Sequence, residues 1–223
     1  DRICTGREAL QTSIKVTTES YGGSIVLLTP KTSNQIVPFA GENVTIPESV
    51  GEANFFYERK LFLVNGMHTT LAFMTLRKEQ PTGSNPEDHT LLTLASADEV
   101  LQEEIWAWAV ARCGMLILRH GMDLLHRIYD SEDHEIVYEN LLEFARTALD
   151  RFSGVEDKTA RILGGGVTNR WLTRLKPVVD EMEDLLHHVD SRGIFEYAGL
   201  TDEYVDTTTR KLVNGTRRFC HLD

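Results

Sequence analysis

The chain lacks the features that mark secreted and membrane-spanning proteins. Its three cysteines, Cys4, Cys113 and Cys220, are odd in number and far apart, which argues against a secreted disulfide framework and against a zinc cluster. The longest apolar run, from Val110 to Leu125, is interrupted by two arginines and a histidine, well before the roughly 20 residues that a bilayer span needs. We therefore expect a reducing, intracellular location, cytoplasmic or organellar, and no membrane partner.

Excess positive charge is also missing. Thirty-four acidic residues against 23 basic ones give a formal net charge of −11, which repels phosphate backbones and argues against a nucleic-acid partner. The glycine run Gly164 to Gly166 has neither the spacing nor the preceding strand of a nucleotide-binding loop, so it predicts a helix-ending turn. Five histidines stand outside metal-ligand spacing, which predicts no metal site: His120, His126, His134, His187 and His188.

The pattern that is present changes near residue 55. The first 50 residues carry short β-branched runs such as SIKVTTES and SIVLLT, separated by Gly, Pro and Asn, and these predict short strands. From Phe55 onward apolar residues recur with helical spacing. We therefore predict a mainly α fold with short strands in the first 50 residues, organised as a strand- and loop-rich segment over 1–54 and a helical domain over 55–223, together forming one structural unit.

Helix boundaries follow from caps, breakers and periodicity. We predict a helix over residues 56–78, an exposed loop in KEQPTGSNPEDHT, and a second helix that begins near Ser96 or Asp98. That second helix carries an apolar stripe of Leu101, Ile105, Trp108, Met115 and Leu118. Further helices are predicted over 131–152, 156–163, 170–189 and 202–218, with Gly164 to Gly166 and Gly193 as breaks.

The helix over residues 56–78 brings together three residues that could carry chemistry. At about 100° per residue, Asn65 and His68 lie one turn apart on one face, and Lys60 lies on an adjoining arc. A lysine held neutral is a good general base, an asparagine amide donates to a developing oxyanion, and a histidine orients a hydroxyl. From spacing alone, a surface lysine, a helix-weakening Asn-Gly pair and a core histidine remain the alternative.

The surrounding residues resemble a known family. The segment NFFYERKLFLVNGMHTTLAF is similar to the signature of the long-chain mannitol dehydrogenases, mannitol 2-dehydrogenase and mannitol-1-phosphate 5-dehydrogenase, whose catalytic motif is Lys-x4-Asn-x2-His. Asp1-Arg2-Ile3 resembles the element that follows their dinucleotide-binding domain, VTTESYGGSIV resembles an extended stretch, and RFSG at Arg151 to Gly154 resembles an Arg-Phe-Ser-Asn-Pro element. The segment GGGVTNRWLTRL departs from the family's Arg-Lys-Leu element.

The resemblance implies a fold and a set of site residues. It implies the helical C-terminal domain of a polyol dehydrogenase, like that of 6-phosphogluconate dehydrogenase, with Lys60, Asn65 and His68 catalytic and Asp1 beside the substrate. Arg151, Asn169, Arg170 and Arg174 are candidates for holding substrate hydroxyls or a phosphate, since arginine binds phosphate bidentately, although ordinary surface roles remain open. Arg112 falls on an apolar helix stripe, which predicts a buried structural ion pair.

The implied activity is NAD(P)-dependent and metal-independent interconversion of mannitol or mannitol 1-phosphate with fructose or fructose 6-phosphate. Without a glycine-rich fingerprint, the chain is expected to take NAD or NADP mainly from its own N-terminal Rossmann domain, which lies outside these residues, and to be inactive alone. Two alternatives stay open: a related hexuronate reductase, and a noncatalytic helical domain, derived from such an enzyme, that serves assembly.

Overall fold

The computed structural model describes residues 4–20, 23, 25–28, 41–79 and 89–220, with side chains from Glu8 onward. The chain divides into two compact units, Asp1–Lys60 and Leu61–Asp223, and each is described by itself. Asp1 to Ile3 and most of the predicted loop after Lys78 lie outside the described residues. The predicted segment boundary at 54/55 thus stands six residues before the division between the units.

The first unit contains the short strands that were predicted. Strands β1 (Cys4–Ala9) and β2 (Ile14–Thr18) form an antiparallel hairpin, whose turn is closed by a 2.8 Å hydrogen bond from Leu10 N–H to the Ser13 carbonyl. Strands β3 (Ile25–Val26) and β4 (Val44–Thr45) pair in parallel. The pairing therefore amounts to two separate two-stranded sheets within the described residues.

Helix α1 (Val50–Arg59) completes the first unit and begins earlier than predicted. The Ser49 side chain accepts a 3.1 Å hydrogen bond from Glu52 N–H, and the Glu52 carboxylate accepts one of 2.8 Å from Glu48 N–H. This is a capping-box type of start, in which a Ser and a Glu three residues later satisfy free N–H groups. The predicted start at residue 56 was wrong, because the capping signal at Ser49 lies seven residues upstream.

The second unit is built of helices. After the π-helix π1 (Lys60–Gly66), which spans the division between the units, the α-helices are α2 (Met67–Lys78), α3 (Glu99–His120), α4 (Met122–Tyr129), α5 (His134–Ser153), α6 (Thr159–Ile162), α7 (Val167–Arg170), α8 (Lys176–Asp180), α9 (Met182–His187), α10 (Val189–Tyr197) and α11 (Asp202–Thr216). A second π-helix, π2 (Trp171–Leu175), and short 3₁₀ turns at Leu94–Ser96 and Arg217–Cys220 complete the second unit. The mainly α fold is confirmed.

Helix α3 is the centre of this unit. Asp98 caps it, as predicted, by accepting a 2.9 Å hydrogen bond from Leu101 N–H. Every residue from Ala107 to Ile117 is buried, because α2, α5, α9, α10 and α11 pack around the helix. A helix that is buried on all sides needs no single apolar stripe. The predicted stripe is therefore only part of the buried surface, and its ends, Leu101 and Leu118, are half-buried.

Several predicted boundaries needed correction. The prediction that Gly193 breaks a helix was wrong, because it lies inside α10, where a Cβ would stand 2.4 Å from the Tyr138 hydroxyl oxygen. Gly193 thus permits close packing of α10 and α5. The single helix expected over 170–189 is a series of short segments around π2, and the one over 156–163 is limited to α6. The turn at Gly164 to Gly166 is confirmed.

A buried carboxylate ties three helices together. Glu104 on α3 is 4% exposed and forms ion pairs with Arg77 on α2 and, at 2.8 Å, with Lys211 on α11. Burial raises the pKa of Glu104, but the hydrogen bonds from Lys211 and Arg77 outweigh it and leave that pKa below its ordinary value. Glu104 is therefore ionised at neutral pH and holds α2, which carries His68, against α3.

Among the helices in the described ranges, none is long and apolar enough to cross a bilayer.

Candidate functional site

The predicted catalytic motif coincides with a change in helix type. Residues Lys60–Gly66 form π1 instead of continuing α1, and α2 begins at Met67. In a π-helix the hydrogen bonds join residues five apart, so the Lys-x4-Asn spacing corresponds to one turn of π1. The prediction that Lys60, Asn65 and His68 lie on one uniform α-helix is therefore wrong for residues 60–66. All three residues nevertheless lie in helical structure.

Lys60 closes the first unit. Its backbone N–H donates to the carbonyls of Phe56 and Tyr57 at the end of α1, and its side chain is exposed. The preceding residue, Arg59, lies over the Phe55 and Phe56 rings, with Cζ 5.5 and 4.9 Å from their centroids. The end of α1 is thus covered by an arginine on an aromatic pair.

Asn65 lies in the second unit, near the end of π1. Its side chain is exposed, whereas its backbone carbonyl accepts a 2.9 Å hydrogen bond from the Thr69 hydroxyl. The next carbonyl, that of Gly66, accepts one of 3.0 Å from the Thr70 hydroxyl. Threonine hydroxyls that bond four residues back occupy carbonyls where a helix is irregular. The backbone of the turn is therefore held, and the Asn65 amide faces outwards.

His68 is held in one orientation in the first turn of α2. Its side chain is 14% exposed, and Nε2 lies 3.1 Å from Oδ2 of Asp157. The imidazole stacks on the Phe152 ring, with centroids 4.3 Å apart and planes within 10° of parallel. A carboxylate that contacts one ring nitrogen orients a histidine side chain. The Asp157 contact and the stacking on Phe152 therefore hold the imidazole in a defined orientation.

Asp157, the residue that holds His68, is itself fixed. It is 6% exposed and binds the Arg161 guanidinium through both carboxylate oxygens, with Oδ1 2.5 Å from Nε. Oδ1 also accepts a 2.8 Å hydrogen bond from Lys158 N–H. Arg161 therefore holds this buried carboxylate in place beside His68. Asp157 is not predicted as a site residue, because no local pattern pairs it with a histidine 89 positions away.

A cleft of about 430 Å³ lies beside Asp157. Its walls come from the end of α2, from residues 90–93 and from the segment that follows α5, and they include Thr75, Glu79, Thr93, Ser153 and Asp157. These polar side chains give the cleft a hydrogen-bonding surface. It includes Ser153 and Gly154 of the RFSG element, so that element lies next to the residue that orients His68.

The predicted substrate-binding residues have different surroundings. Arg151 is half-buried in the last turn of α5, one residue before Phe152, so α5 brings it into the neighbourhood of His68. Asn169 and Arg170 lie on α7, where Asn169 is exposed and the Arg170 guanidinium packs against Gly165. Arg170 Nε is buried with no hydrogen-bond partner in the described part of the chain. Asp1 lies outside that part.

Arg112 is buried as predicted, but the described residues give it no carboxylate partner for the predicted ion pair. It is 2% exposed, and its hydrogen bonds to the described residues go to neutral acceptors, the Thr70 hydroxyl at 3.0 Å and the Arg174 carbonyl at 2.7 Å. Burial, together with the nearby Arg174 charge, lowers its pKa to about 9. Arg112 therefore keeps its proton at neutral pH. Its guanidinium packs against Gly66, the residue that follows Asn65, and has no carboxylate partner among residues 89–220 or the other described ranges.

The described residues bring no three His, Cys, Asp or Glu side chains into a metal-binding group. The expectation of a metal-independent reaction stays a prediction. Comparisons with protein-family models, with curated proteins and with solved structures find no match to this chain.

Proposed function

We propose that this chain is the substrate-side domain of an NAD(P)-dependent polyol dehydrogenase that interconverts mannitol or mannitol 1-phosphate with fructose or fructose 6-phosphate. The observation that carries the proposal is that the Lys-x4-Asn-x2-His motif occupies π1 and the first turn of α2. Single π-helical turns are rare and occur frequently at functional sites. The motif that resembles a catalytic signature thus coincides with an irregular backbone that ordinary helix packing does not require.

The three motif residues have separate roles in this reaction. Lys60 takes the proton of the substrate hydroxyl as general base, and the Asn65 amide donates to the oxygen that becomes negative. His68 binds a neighbouring hydroxyl and holds the substrate in place. The side chains of Lys60 and Asn65 are both exposed.

Asp157 acts through His68. The 3.1 Å contact at Nε2 and the stacking on Phe152 fix the orientation of the His68 ring, which holds the substrate in this proposal. A histidine whose orientation is set by a buried carboxylate needs no reorganisation when the substrate binds. Loss of the Asp157 charge is therefore expected to reduce turnover without removing any group that contacts the substrate.

The nicotinamide, when bound, supplies the acceptor for the hydride. The resemblance implies that a dinucleotide-binding domain outside these residues holds it. Arg151, Asn169, Arg170 and Asp1 remain candidates for the far end of the substrate. A phosphorylated substrate would favour the arginines among them.

The test is an assay of the full-length protein with NAD(H) and NADP(H) against mannitol, mannitol 1-phosphate, fructose and fructose 6-phosphate. Lys60→Ala is expected to lower kcat by about 10²- to 10⁴-fold, the usual contribution of a general base. Asn65→Ala is expected to cost about 10²- to 10³-fold, as for the loss of one oxyanion donor. Lys15→Ala, which removes an exposed lysine of β2, is the matched control and should leave kcat unchanged.

Two outcomes would contradict the proposal. Full activity of Lys60→Ala would remove the lysine from the mechanism. No turnover of any of the four substrates by the wild-type protein with either nucleotide would reject the polyol dehydrogenase. Activity with a hexuronate alone would replace the proposed substrate class. The same variants would then test the roles of Lys60, Asn65 and His68 with that substrate.

A further inference from the structure

Within the second unit, a pair of arginines joins π2 to the residues of π1 from Leu61 onward. Arg174, in π2, donates from Nη1 to the Leu61 carbonyl at 3.2 Å, in the first turn of π1. Its own backbone carbonyl accepts from Arg112 Nη2 at 2.7 Å. Arg112 therefore holds π2, and π2 in turn holds the beginning of π1.

The same guanidinium reaches the other end of π1. Arg112 Nη2 donates to the Thr70 hydroxyl at 3.0 Å, and that hydroxyl donates to the Gly66 carbonyl, also at 3.0 Å. The guanidinium also packs directly on Gly66, where an added Cβ would lie 2.6 Å from Nη1 and 2.9 Å from Cζ. Both Leu61 and Gly66, which flank the turn that carries Asn65, are thus connected to Arg112.

The buried Arg112 guanidinium is an energetically unfavourable way to fill this part of the core. A buried cation without a carboxylate is strongly disfavoured, and an apolar side chain of similar volume is often as stable or more stable. Within the described part of the chain, Arg112 Nε has no hydrogen-bond partner, and the Trp108 ring, 5.4 Å from Cζ, offers only a cation–π contact. Packing alone therefore does not explain an arginine here.

We propose that Arg112 is a positioning residue, which holds the π-helical turn so that the Asn65 amide meets the substrate oxygen. The inference rests on the proposed function, in which the Asn65 amide donates a hydrogen bond to the substrate oxygen. Arg112 does not touch the substrate; it acts through Thr70, Gly66 and Arg174. Its guanidinium packs against Gly66, the residue that follows Asn65. Its charge adds positive electrostatic potential on the side of the turn where the substrate oxygen becomes negative.

The test compares variants that separate volume from hydrogen bonding. Arg112→Met keeps most of the volume and loses the charge and donors, whereas Arg112→Lys keeps the charge and one donor group. A packing role favours Met over Lys. A positioning role predicts that kcat of the full-length enzyme falls about 10- to 100-fold in Arg112→Met with KM changed less than about threefold, and that Arg112→Lys recovers part of kcat. Arg127→Met, an exposed arginine on α4, is the control.

A readout that needs no activity separates this inference from the proposed function. Hydrogen exchange of the amides from Leu61 to Thr70 should accelerate at least tenfold in Arg112→Met relative to Arg127→Met. Thr70→Val, which removes the hydroxyl between Arg112 and Gly66, should accelerate the same amides and gives the answer if Arg112→Met does not fold.

The outcomes decide between the two ideas. Wild-type kcat in Arg112→Met or a higher kcat there than in Arg112→Lys would overturn the positioning role. If the wild-type protein turns over none of the polyols, the proposed function fails, and the exchange rates then decide whether Arg112 holds the turn. Unchanged exchange in Arg112→Met and Thr70→Val would overturn that as well.

Discussion

Replacing Glu104 with Gln tests whether one buried carboxylate holds α2 and α11 on α3. Gln has nearly the same volume, so the change removes charge and leaves packing intact. Glu104 is 4% exposed, and its partners differ, because the Arg77 side chain is 20% exposed and the Lys211 side chain 61%. Lys211 can return to water, so most of the loss comes from Arg77.

The expected magnitude follows from that difference. A hydrogen bond to a charged group contributes about 1.5–3 kcal/mol, and the contribution of the exposed Lys211 is screened to a small fraction of this. We expect Glu104→Gln to lower the free energy of unfolding by about 2 kcal/mol, which for a chain of this size lowers Tm by about 4–8 °C. Thermal unfolding followed by circular dichroism measures the shift.

The pH dependence gives a second and sharper check. Because the folded-state pKa of Glu104 lies below its ordinary value of 4.5, its contribution is present above that value and is lost as the pH falls through the folded-state pKa. The difference in unfolding free energy between wild type and Glu104→Gln should therefore narrow from pH 7 to pH 3.5. Glu103→Gln, an exposed neighbour on α3, is the control. Equal Tm values for the two variants, or a difference that does not narrow in acid, would refute the reasoning.

Three further predictions concern packing, capping and thiol reactivity. Gly193→Ala should lower stability by about 1–3 kcal/mol through overpacking, because its Cβ would meet the Tyr138 hydroxyl at 2.4 Å, and Tyr138→Phe should restore part of the loss in urea unfolding. Asp98→Ala should cost about 1 kcal/mol by removing the cap of α3, and Asp98→Ser much less. Cys113 is fully buried and its pKa is raised by burial, so iodoacetamide should modify it only in denaturant, as peptide mass spectrometry would show.

Each of these has a clear contrary result. A Gly193→Ala variant as stable as wild type would mean that α10 and α5 have more room than the Tyr138 contact indicates. Equal stability of the two Asp98 variants would remove the side-chain cap. Alkylation of Cys113 in the native protein at neutral pH would show that α3 opens on the time scale of the reaction.

The features that the sequence predicted are those with local causes. The start of α3 follows from an Asp98 side chain that can reach Leu101 N–H, and the burial of Arg112 follows from its place among apolar neighbours. The same kind of signal was available for α1, whose Ser49 and Glu52 stand at capping-box spacing. This capping signal does not indicate the length of the helix, because the apolar periodicity begins only at Phe55.

The features that the sequence did not predict depend on distant partners. A π-turn cannot be recognised from Lys60 to Gly66 alone, because the Arg112 and Arg174 contacts that connect its two ends come from 46 to 113 positions away along the chain. The Asp157 contact with His68 is equally remote. Gly193 is read as a break in isolation, and only the Tyr138 hydroxyl reveals it as a contact.

Because Gly66 contacts the Arg112 guanidinium, the residues that the fold allows at positions 66 and 112 depend on each other. A side chain at position 66 is compatible with this backbone only if the residue at position 112 ends before the guanidinium, since Cβ and Nη1 would otherwise lie 2.6 Å apart. Exchange at one position therefore requires exchange at the other. In any set of related sequences, residues 66 and 112 should covary, with glycine at 66 wherever arginine stands at 112 and with shorter residues at 112 wherever 66 gains a side chain.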